Sequence, residues 1–269
     1  MNNTMPVSIV IPTFNRADYL IQCIDSCLSQ TQPCEIIVVD HGSTDNTPEV
    51  AEKYGDKIIY IRRELDSGVH FCWLDGILHA KNELIHLNFD DDWIEPEFIE
   101  KCTKLFDQDV GCVFSDAKIF YEEENRFQER GLFNIKSGAH RSSILIKRNL
   151  KDLTSPAAGI FRKKILINYL FQGKVPFSKN SYQGVGPDVL FSLFAGKQYA
   201  KFGFVNETLA IFRSHKNSIT VNASNSKKKG EEIYKAYNDS RIYYVLNNLV
   251  NQFGLYHIAK LILKVKQRW

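Results

Sequence analysis

The stretch Val7-Ser-Ile-Val-Ile-Pro-Thr-Phe-Asn-Arg16 begins as a short apolar run and ends in a polar loop. A second such run, Glu35-Ile-Ile-Val-Val-Asp40, follows residues 15–28, in which apolar residues recur at helical spacing. The strand pattern returns at Ile58–Ile61 and Leu84–Phe89, again with helical segments between. This alternation predicts an α/β domain with a mainly parallel sheet flanked by helices.

The same periodicities place further elements along the chain. The first helix is expected to bury one apolar face formed by Leu20, Ile24, Cys27 and Leu28. The other predicted elements are helices over about 47–55, 69–80 and 187–197, helices starting at Glu95 and after Ser155–Gly159, strands at 112–115, 118–121, 143–147 and 203–213, and a mobile loop over 218–230.

Length and composition limit the class of protein. The 269 residues fit one large domain, or one domain with an extension, and 44% hydrophobic with 24% charged residues is a globular balance. The apolar runs are too short to cross a bilayer, and the first residues do not resemble a secretory signal, so a cytoplasmic protein is expected. Six cysteines without a Cys-x-x-Cys pair predict reduced, mostly buried thiols.

Positive charge is concentrated at the end of the sequence. The net charge is +3, but residues 1–239 carry a net −2, and five Lys and Arg residues follow without another acid. This distribution disfavours nucleic-acid binding and suits a tail in peripheral contact with an anionic membrane. Two amphipathic helices are predicted, one with Ile242, Val245, Leu249 and Phe253 on one face, the other over 255–269. The first is expected to pack on the domain or on a sister subunit, whereas the second is either packed or an interfacial anchor.

Polar residues follow three predicted strands at the edge where an open α/β sheet binds ligands. Strand one leads into 12–16, strand two into 40–43, and strand four into Asp90-Asp91-Asp92. Three adjacent carboxylates repel one another, a cost that Mg²⁺ or Mn²⁺ with a phosphate-bearing ligand would offset. A solvated acidic loop is the alternative interpretation.

Two common nucleotide-binding patterns are missing from the sequence. The loop after strand one lacks Gly-x-Gly-x-x-Gly, and no Gly-x-x-x-x-Gly-Lys occurs, which disfavours dinucleotide oxidoreductases and P-loop ATPases. Asp40 is available to accept a hydrogen bond from a base or a ribose.

Several motifs together resemble glycosyltransferase family 2, inverting enzymes of the GT-A fold. They are Val7–Arg16, Ile36-Ile-Val-Val-Asp-His-Gly-Ser-Thr-Asp45, Asp66-Ser-Gly-Val69 and Asp90-Asp-Asp-Trp-Ile-Glu-Pro96. The resemblance covers about residues 5–115 and extends through Gly186-Pro-Asp188 and Arg213-Ser-His215 to about 220. It implies a GT-A domain over 1–220, with a nucleotide-sugar half (1–115) and an acceptor half (116–220), followed by C-terminal helices over 231–269.

The resemblance also implies roles for individual residues. Asp188 matches the general base, and Asp90, Asp91, Asp92 and His215 would hold Mn²⁺ or Mg²⁺. The residues implied for donor binding are Pro12, Thr13, Phe14, Asn15, Arg16, Asp40, Asp66, Asp90, Asp91 and Arg213. Arg213 would steady the leaving phosphates. Without the resemblance, a helix N-cap after Pro187 is the favoured interpretation of Asp188.

Some positions depart from the family pattern or leave its register open. His41 stands where a second Asp is common, and Trp73-Leu74 stands where an Arg-Asn pair is common, so the donor contacts must differ. Within the triplet, either Asp91-Asp92 or Asp90-x-Asp92 fits a metal-binding pair.

The function implied is metal-dependent, inverting transfer of a sugar from a UDP-sugar to a hydroxyl of a glycan acceptor. An acceptor on a polyprenyl diphosphate, in bacterial O-antigen or capsule synthesis, would suit the basic tail, and a homodimer is compatible with the sequence. A nucleotidyltransferase is the runner-up, although its Gly-rich, basic loop is missing. A non-catalytic GT-A-like subunit that binds nucleotide or glycan is the alternative outside enzymology.

Overall fold

The computed structural model describes residues 5–171, 174–176, 178, 185–216, 218, 226–258, 260 and 264. Its strands are β1 (Val7–Thr13), β2 (Glu35–His41), β3 (Ile59–Arg63), β4 (Leu84–Leu87), β5 (Trp93–Ile94), β6 (Val110–Tyr121), β7 (Arg126–Glu129), β8 (Gly138–Arg141), β9 (Gly159–Arg162) and β10 (Lys201–Ser214). Its helices are α1 (Ala17–Leu28), α2 (Thr47–Glu52), α3 (Val69–His79), α4 (Phe98–Thr103), α5 (Ser142–Lys151), α6 (Lys163–Tyr169), α7 (Val189–Gln198) and α8 (Lys227–Phe253).

One sheet runs through the described chain in the order β3-β2-β1-β4-β9-β6-β10-β5, with β7 beside β6 and β8 beside β10. The first four strands of this order are mutually parallel, and β6 pairs in parallel with β10. Strand β9 runs antiparallel between β4 and β6 and so joins the two halves. Because β1 lies between β2 and β4, the chain reverses its direction of winding there, and a crevice opens at the carboxyl ends of these strands.

The central strands are apolar because helices cover both faces of the sheet. All seven residues of β1 and all four of β4 are buried. Helix α1 buries Leu20, Ile24 and Cys27 as expected, together with Cys23, but Leu28 is 37% exposed at the end of the helix. All six cysteines are free in the structure, and all but Cys34 are buried, which confirms the prediction of mostly buried thiols.

The sequence prediction was wrong at several elements of the second half. Residues 143–147 belong to helix α5, whose buried Ser142, Leu145 and Asn149 recur at helical rather than strand spacing. The two short strands predicted at 112–115 and 118–121 are parts of one strand, β6. The helix predicted after Ser155–Gly159 begins only at Lys163, as α6, because strand β9 comes first and fills the gap between β4 and β6.

The C-terminal part of the chain is helical, but it packs through a different face from the expected one. Ala236, Ser240 and Tyr244 are buried, whereas Val245 of the predicted face is 40% exposed. Lys227–Gly230 begin α8 rather than ending a loop, and most of the rest of that predicted loop lies outside the described residues. Of 255–269, the residues that the structure describes are exposed where their burial is given. None of the helices in the described part of the chain is long and apolar enough to cross a membrane.

Candidate active site

The loop after β1 is tied to the loop after β2 by Asn15. Its backbone N–H donates to Ser43 Oγ at 2.9 Å, and its side-chain Oδ1 accepts from Thr44 N–H at 2.8 Å. Asn15 also has a positive φ of 53°, which asparagine adopts more readily than most residues. Asn15 therefore fixes the shape of the loop, and its side chain does not line the cavity described below.

Asp40, at the end of β2, is fully buried. Its Oδ1 accepts from Ser43 N–H at 2.9 Å and its Oδ2 from Tyr60 O–H at 2.7 Å. Burial and the negative charge of Asp40 raise the pKa of Tyr60 well above its ordinary value. The carboxylate thus orders the loop after β2 from within the protein.

A cavity of about 710 Å³ opens at the carboxyl ends of β1 and β4 and extends under α7 and α8. The residues predicted for the site that line it are Pro12, Thr13, Phe14, Arg16, Asp66, Asp90, Asp91, Asp92, Asp188 and Arg213. Three predicted site residues, Asn15, Asp40 and His215, do not line this cavity. His215 nevertheless touches its wall, because Nε2 lies 3.0 Å from Oδ2 of Asp91.

The acidic triplet after β4 is crowded and poorly solvated. Burial and the neighbouring Asp91 raise the pKa of Asp90 to about 7, and the same two causes raise the pKa of Asp92 well above its ordinary value. Asp92 Oδ1 accepts a hydrogen bond from the backbone N–H of Arg213 at 2.9 Å. His215 Nε2, which contacts Asp91, also lies 3.2 Å from Nη1 of Arg16. Ionisation of Asp90 and Asp92 beside Asp91 is therefore costly, although Arg16 and Arg213 lie nearby.

The guanidinium of Arg213 is held by the protein on several sides. Nε donates to the carbonyl oxygen of Asp91 at 3.0 Å, Nη1 donates to Glu122 at 2.8 Å, and Nη2 donates to Gln22. The group also lies 4.9 Å from the ring centre of Trp93. Arg213 thus carries its charge to the cavity wall in a fixed orientation, which suits a group that receives an anion without rearrangement.

Asp188 stands at the start of α7 but does not cap the helix. Its backbone is in the helical region and its side chain makes no capping hydrogen bond. The residue is 5% exposed, Oδ2 accepts from Tyr237 O–H at 3.4 Å, and Oδ1 has no hydrogen-bond partner in the described part of the chain. Burial raises the pKa of Asp188 to about 6. The N-cap interpretation is therefore not supported, and the carboxylate is a candidate base.

Two residues on the cavity wall escaped the sequence analysis. Tyr237 comes from α8, 49 residues after Asp188, and no motif surrounds it. Arg130 contributes a third arginine to the wall, besides Arg16 and Arg213, from the turn after β7, and its sequence context gives no signal because single arginines between short strands are common on surfaces.

The model of the family described as glycosyl transferase family 2 matches residues 8–169. The chain belongs to this family. The resemblance identified from the sequence motifs is thereby confirmed. The matched residues include the β1 loop and Asp90–Asp92, whereas Asp188, Arg213 and His215 lie beyond them.

Individual relatives of this family 2 chain match it in different ways. Hyaluronan synthase of Pasteurella multocida is 36% identical over 120 residues, which are 43% of this chain and 12% of the synthase. This chain thus aligns with only about an eighth of that relative's length. The structure of S. aureus TarS 1-349 in complex with UDP-GlcNAc covers 94% of this chain and 76% of its own, with a TM-score of 0.63 at 18% identity.

A second similar structure is a mannosyltransferase from Pyrobaculum calidifontis in complex with GDP-Man and Mn²⁺. It covers 94% of this chain and 73% of its own, with a TM-score of 0.56 and 15% identity. At such low identities the two structural matches show a common fold alone. They confirm the predicted GT-A architecture of the family 2 chain.

The carboxylates on the cavity wall are of the chemical type that binds Mg²⁺ or Mn²⁺. Within the part of the chain that the structure describes, no group of three or more His, Cys, Asp or Glu side chains is placed to hold a metal ion. Asp91 and His215 form a pair of suitable ligands, with Asp90 and Asp92 on either side of Asp91 in the chain. Mg²⁺ and Mn²⁺ often take only one or two protein ligands and complete their shell with substrate phosphates and water.

Proposed function

We propose that this family 2 chain is a metal-dependent inverting glycosyltransferase that moves one sugar from a UDP-sugar to a hydroxyl of a glycan acceptor. The observation that carries the proposal is the shared cavity, in which the buried, partly unpartnered carboxylate of Asp188 and the Asp90–Asp92 triplet line one space. A binding subunit needs no such carboxylate. A desolvated acid whose pKa lies near 6 is suited to accepting a proton in a reaction at neutral pH.

The donor would occupy the side of the cavity formed by the loops after β1, β3 and β4. Pro12, Thr13, Phe14 and Asp66 would contact its nucleoside, with Asp40 and Asn15 holding the loop shapes from behind. Asp90, Asp91, Asp92 and His215 would hold Mn²⁺ or Mg²⁺. When bound, this ion supplies positive charge that stabilises the diphosphate as it leaves.

The reaction then requires one proton acceptor and one charge stabiliser from the chain itself. Asp188 takes the proton of the acceptor hydroxyl, whose oxygen attacks the anomeric carbon while the bond from that carbon to the diphosphate breaks. Arg213 faces the departing UDP, on which negative charge develops. Attack from the face opposite UDP inverts the anomeric configuration.

Bacterial surface polysaccharide synthesis is the process we propose for this activity. The likeness to hyaluronan synthase, a polysaccharide-forming enzyme by its name, supports a glycan product. A polyprenyl-diphosphate-linked acceptor, peripheral contact of the basic C-terminal segment with an anionic membrane, a cytoplasmic location and a homodimer belong to the same proposal. The excess of Lys and Arg after Asp239 supports the membrane contact, and with it a membrane-bound acceptor.

The test is release of UDP from a panel of UDP-sugars, each offered with synthetic lipid-diphosphate sugars. We expect release to need both acceptor and Mn²⁺ or Mg²⁺, and Asp188→Asn to lower turnover at least about 100-fold while UDP binding is kept. Asp56→Asn, at an exposed position that is not among the residues lining the cavity, is the matched control and should behave like the parent protein. Unchanged turnover in Asp188→Asn, or full activity in chelator, would refute the assignment of base or metal.

The test also separates this proposal from its alternatives. Formation of pyrophosphate from a nucleoside triphosphate and a sugar phosphate would indicate a nucleotidyltransferase. Tight nucleotide binding without turnover for any pair in the panel would favour a non-catalytic subunit.

A further inference from the structure

We propose that Tyr237 is a positioning residue for Asp188, so that α8, which lies outside the family-matched residues, completes the catalytic centre. The inference rests on the proposed function, since it assigns a partner to the base of that reaction. It concerns a contact between α7 and α8 that neither the sequence motifs nor the matched residues 8–169 contain.

The contact places the tyrosine hydroxyl against the carboxylate inside the cavity. Tyr237 O–H donates to Oδ2 of Asp188 at 3.4 Å, and both residues line the cavity wall. Because Oδ1 has no hydrogen-bond partner among the described residues, Tyr237 is the side chain seen to restrain this carboxylate. One oxygen is held by the tyrosine, and the other is left for a ligand.

Helix α8 is fixed in register opposite the start of α7. Ala236, fully buried, lies against Gly186, and a Cβ placed on Gly186 would approach the Cβ of Ala236 to 2.8 Å. Gly186 also has a φ of +96°, so glycine is needed there both for space and for conformation. This close approach sets Tyr237, the next residue, over Asp188, two residues after Gly186.

Polar contacts made by two residues that follow Tyr237 on α8 hold the helix in the same place. Arg241 Nε donates to the carbonyl oxygen of Asn149 at 2.8 Å, and its Nη2 donates to that of Asp152 at 3.0 Å. Ser178 Oγ donates to Asp239 Oδ2 at 2.6 Å in a buried pair. Tyr244 packs against Phe194 of α7, with ring centres 5.2 Å apart. The helix is therefore anchored around the residue that contacts the base.

The chemistry of the contact favours a productive base. A phenol that donates to a carboxylate stabilises its ionised form and restricts rotation of the group, so that Oδ1 keeps one direction toward the acceptor. The other charged groups that line this cavity come from elements other than α7 and α8. They are Arg16, Asp66, Asp90, Asp91, Asp92, Arg130 and Arg213, with Arg241 beside the Tyr237 ring on α8.

The experiment compares Tyr237→Phe with Tyr234→Phe, a matched change one turn away on the same helix at a residue that is 70% exposed. UDP release is measured with the active donor and acceptor from the panel over pH 5 to 9. For Tyr237→Phe we expect kcat to fall roughly 10- to 100-fold with the donor KM within about twofold, because orientation is lost rather than binding. The acid limb of its pH profile should move to higher pH, since the ionised base has lost a donor.

The controls keep the inference separate from the proposed function. Tyr234→Phe should keep the parent kcat and pH profile, and both variants should keep the parent melting temperature because the aromatic ring remains. A kcat and pH profile of Tyr237→Phe equal to those of Tyr234→Phe would overturn the inference while leaving Asp188 as the base. A lower melting temperature and a raised donor KM, without a change in the pH profile, would also overturn it, because the role would then be structural. An inactive parent protein across the panel would instead refute the proposed function.

Discussion

The carboxylate of Asp188 is buried, so its ionisation is costly, and this cost affects the activity. Burial raises its pKa to about 6, from an ordinary value near 4. The base must be ionised to accept a proton, so kcat/KM should increase as pH rises through about 6 and level off above 7. The measurement is the pH profile of UDP release at saturating metal. A profile that is flat between pH 5 and 8 would contradict the assignment of Asp188 as the base.

The same buried carboxylate should lower stability at neutral pH. Because the folded-state pKa is raised, the favourable contribution of protonated Asp188 is complete below about pH 4 and is lost as pH rises through about 6. Asp188→Asn should therefore be more stable than the parent by roughly 1–3 kcal/mol at pH 7.5, and by about 1 kcal/mol less at pH 5. Urea unfolding at the two pH values measures this difference. If Asp188→Asn and the parent protein have equal unfolding free energies at both pH values, the carboxylate is solvated in the folded protein.

At the residue scale, the sequence predicted the acidic residues at strand ends better than it predicted the residues that contact them or share their cavity. Asp90–Asp92 and Asp188 stand next to recognisable strands, glycines and prolines, so motifs identify them. Tyr237 and Arg130 reach the cavity through packing of elements distant in sequence, which no local pattern encodes. Asp40 is at the predicted strand end, but Ser43 and Tyr60 occupy its oxygens inside the protein.

At the scale of elements, the turn after β2 depends on Gly42. Its φ is +79°, and a Cβ there would lie 2.7 Å from the carbonyl oxygen of Glu64, a backbone atom that cannot swing aside. Gly42→Ala should therefore cost about 2–4 kcal/mol of unfolding free energy, and it should weaken UDP binding because the loops after β2 and β1 share hydrogen bonds.

The matched control for this glycine is Gly55→Ala. Gly55 also has a positive φ, +53°, but nothing lies within 4 Å of a Cβ placed on it. Gly55→Ala should lose only about 1 kcal/mol of unfolding free energy, the cost of the backbone conformation alone, and should keep UDP binding. Urea unfolding and UDP titration of both variants provide the comparison. Equal losses of stability would show that the contact with Glu64 contributes nothing.

Element prediction succeeded for the apolar runs that stand between helical segments and failed for short or isolated runs. The apolar runs of β1, β2 and β4 admit one interpretation between helical segments. The run Ser143–Lys147 is too short for its sequence pattern to distinguish a strand from a helix. Its packing against α7 determines that it is helical, as part of α5. A strand of two residues such as β5 has no period to detect, and it exists because β10 pairs with it.

On the scale of the whole molecule, the uneven distribution of charged residues along the chain determines how bound ligands change the stability of the fold. The body of the chain carries a net −2 and gathers four acids besides Asp66 around one cavity, while the excess of cations lies after Asp239. A diphosphate alone would add negative charge to this cavity, and a divalent cation alone would lack the phosphates that complete its shell. The fold should therefore gain more stability from Mn²⁺ and UDP together than from the sum of the two separately.

The thermal shift of the full chain measures this coupling. With Mn²⁺ and UDP at about 100 times the dissociation constant, binding should add about 2.7 kcal/mol and raise Tm by roughly 5–10 °C. UDP with chelator should raise Tm by less than about 2 °C. Asp91→Asn should lose most of the joint shift because a carboxylate next to His215 is gone, whereas Asp56→Asn should keep it. An equal shift by UDP in chelator would mean that the nucleotide is held by the chain alone, and the acidic triplet would then have no part in donor binding.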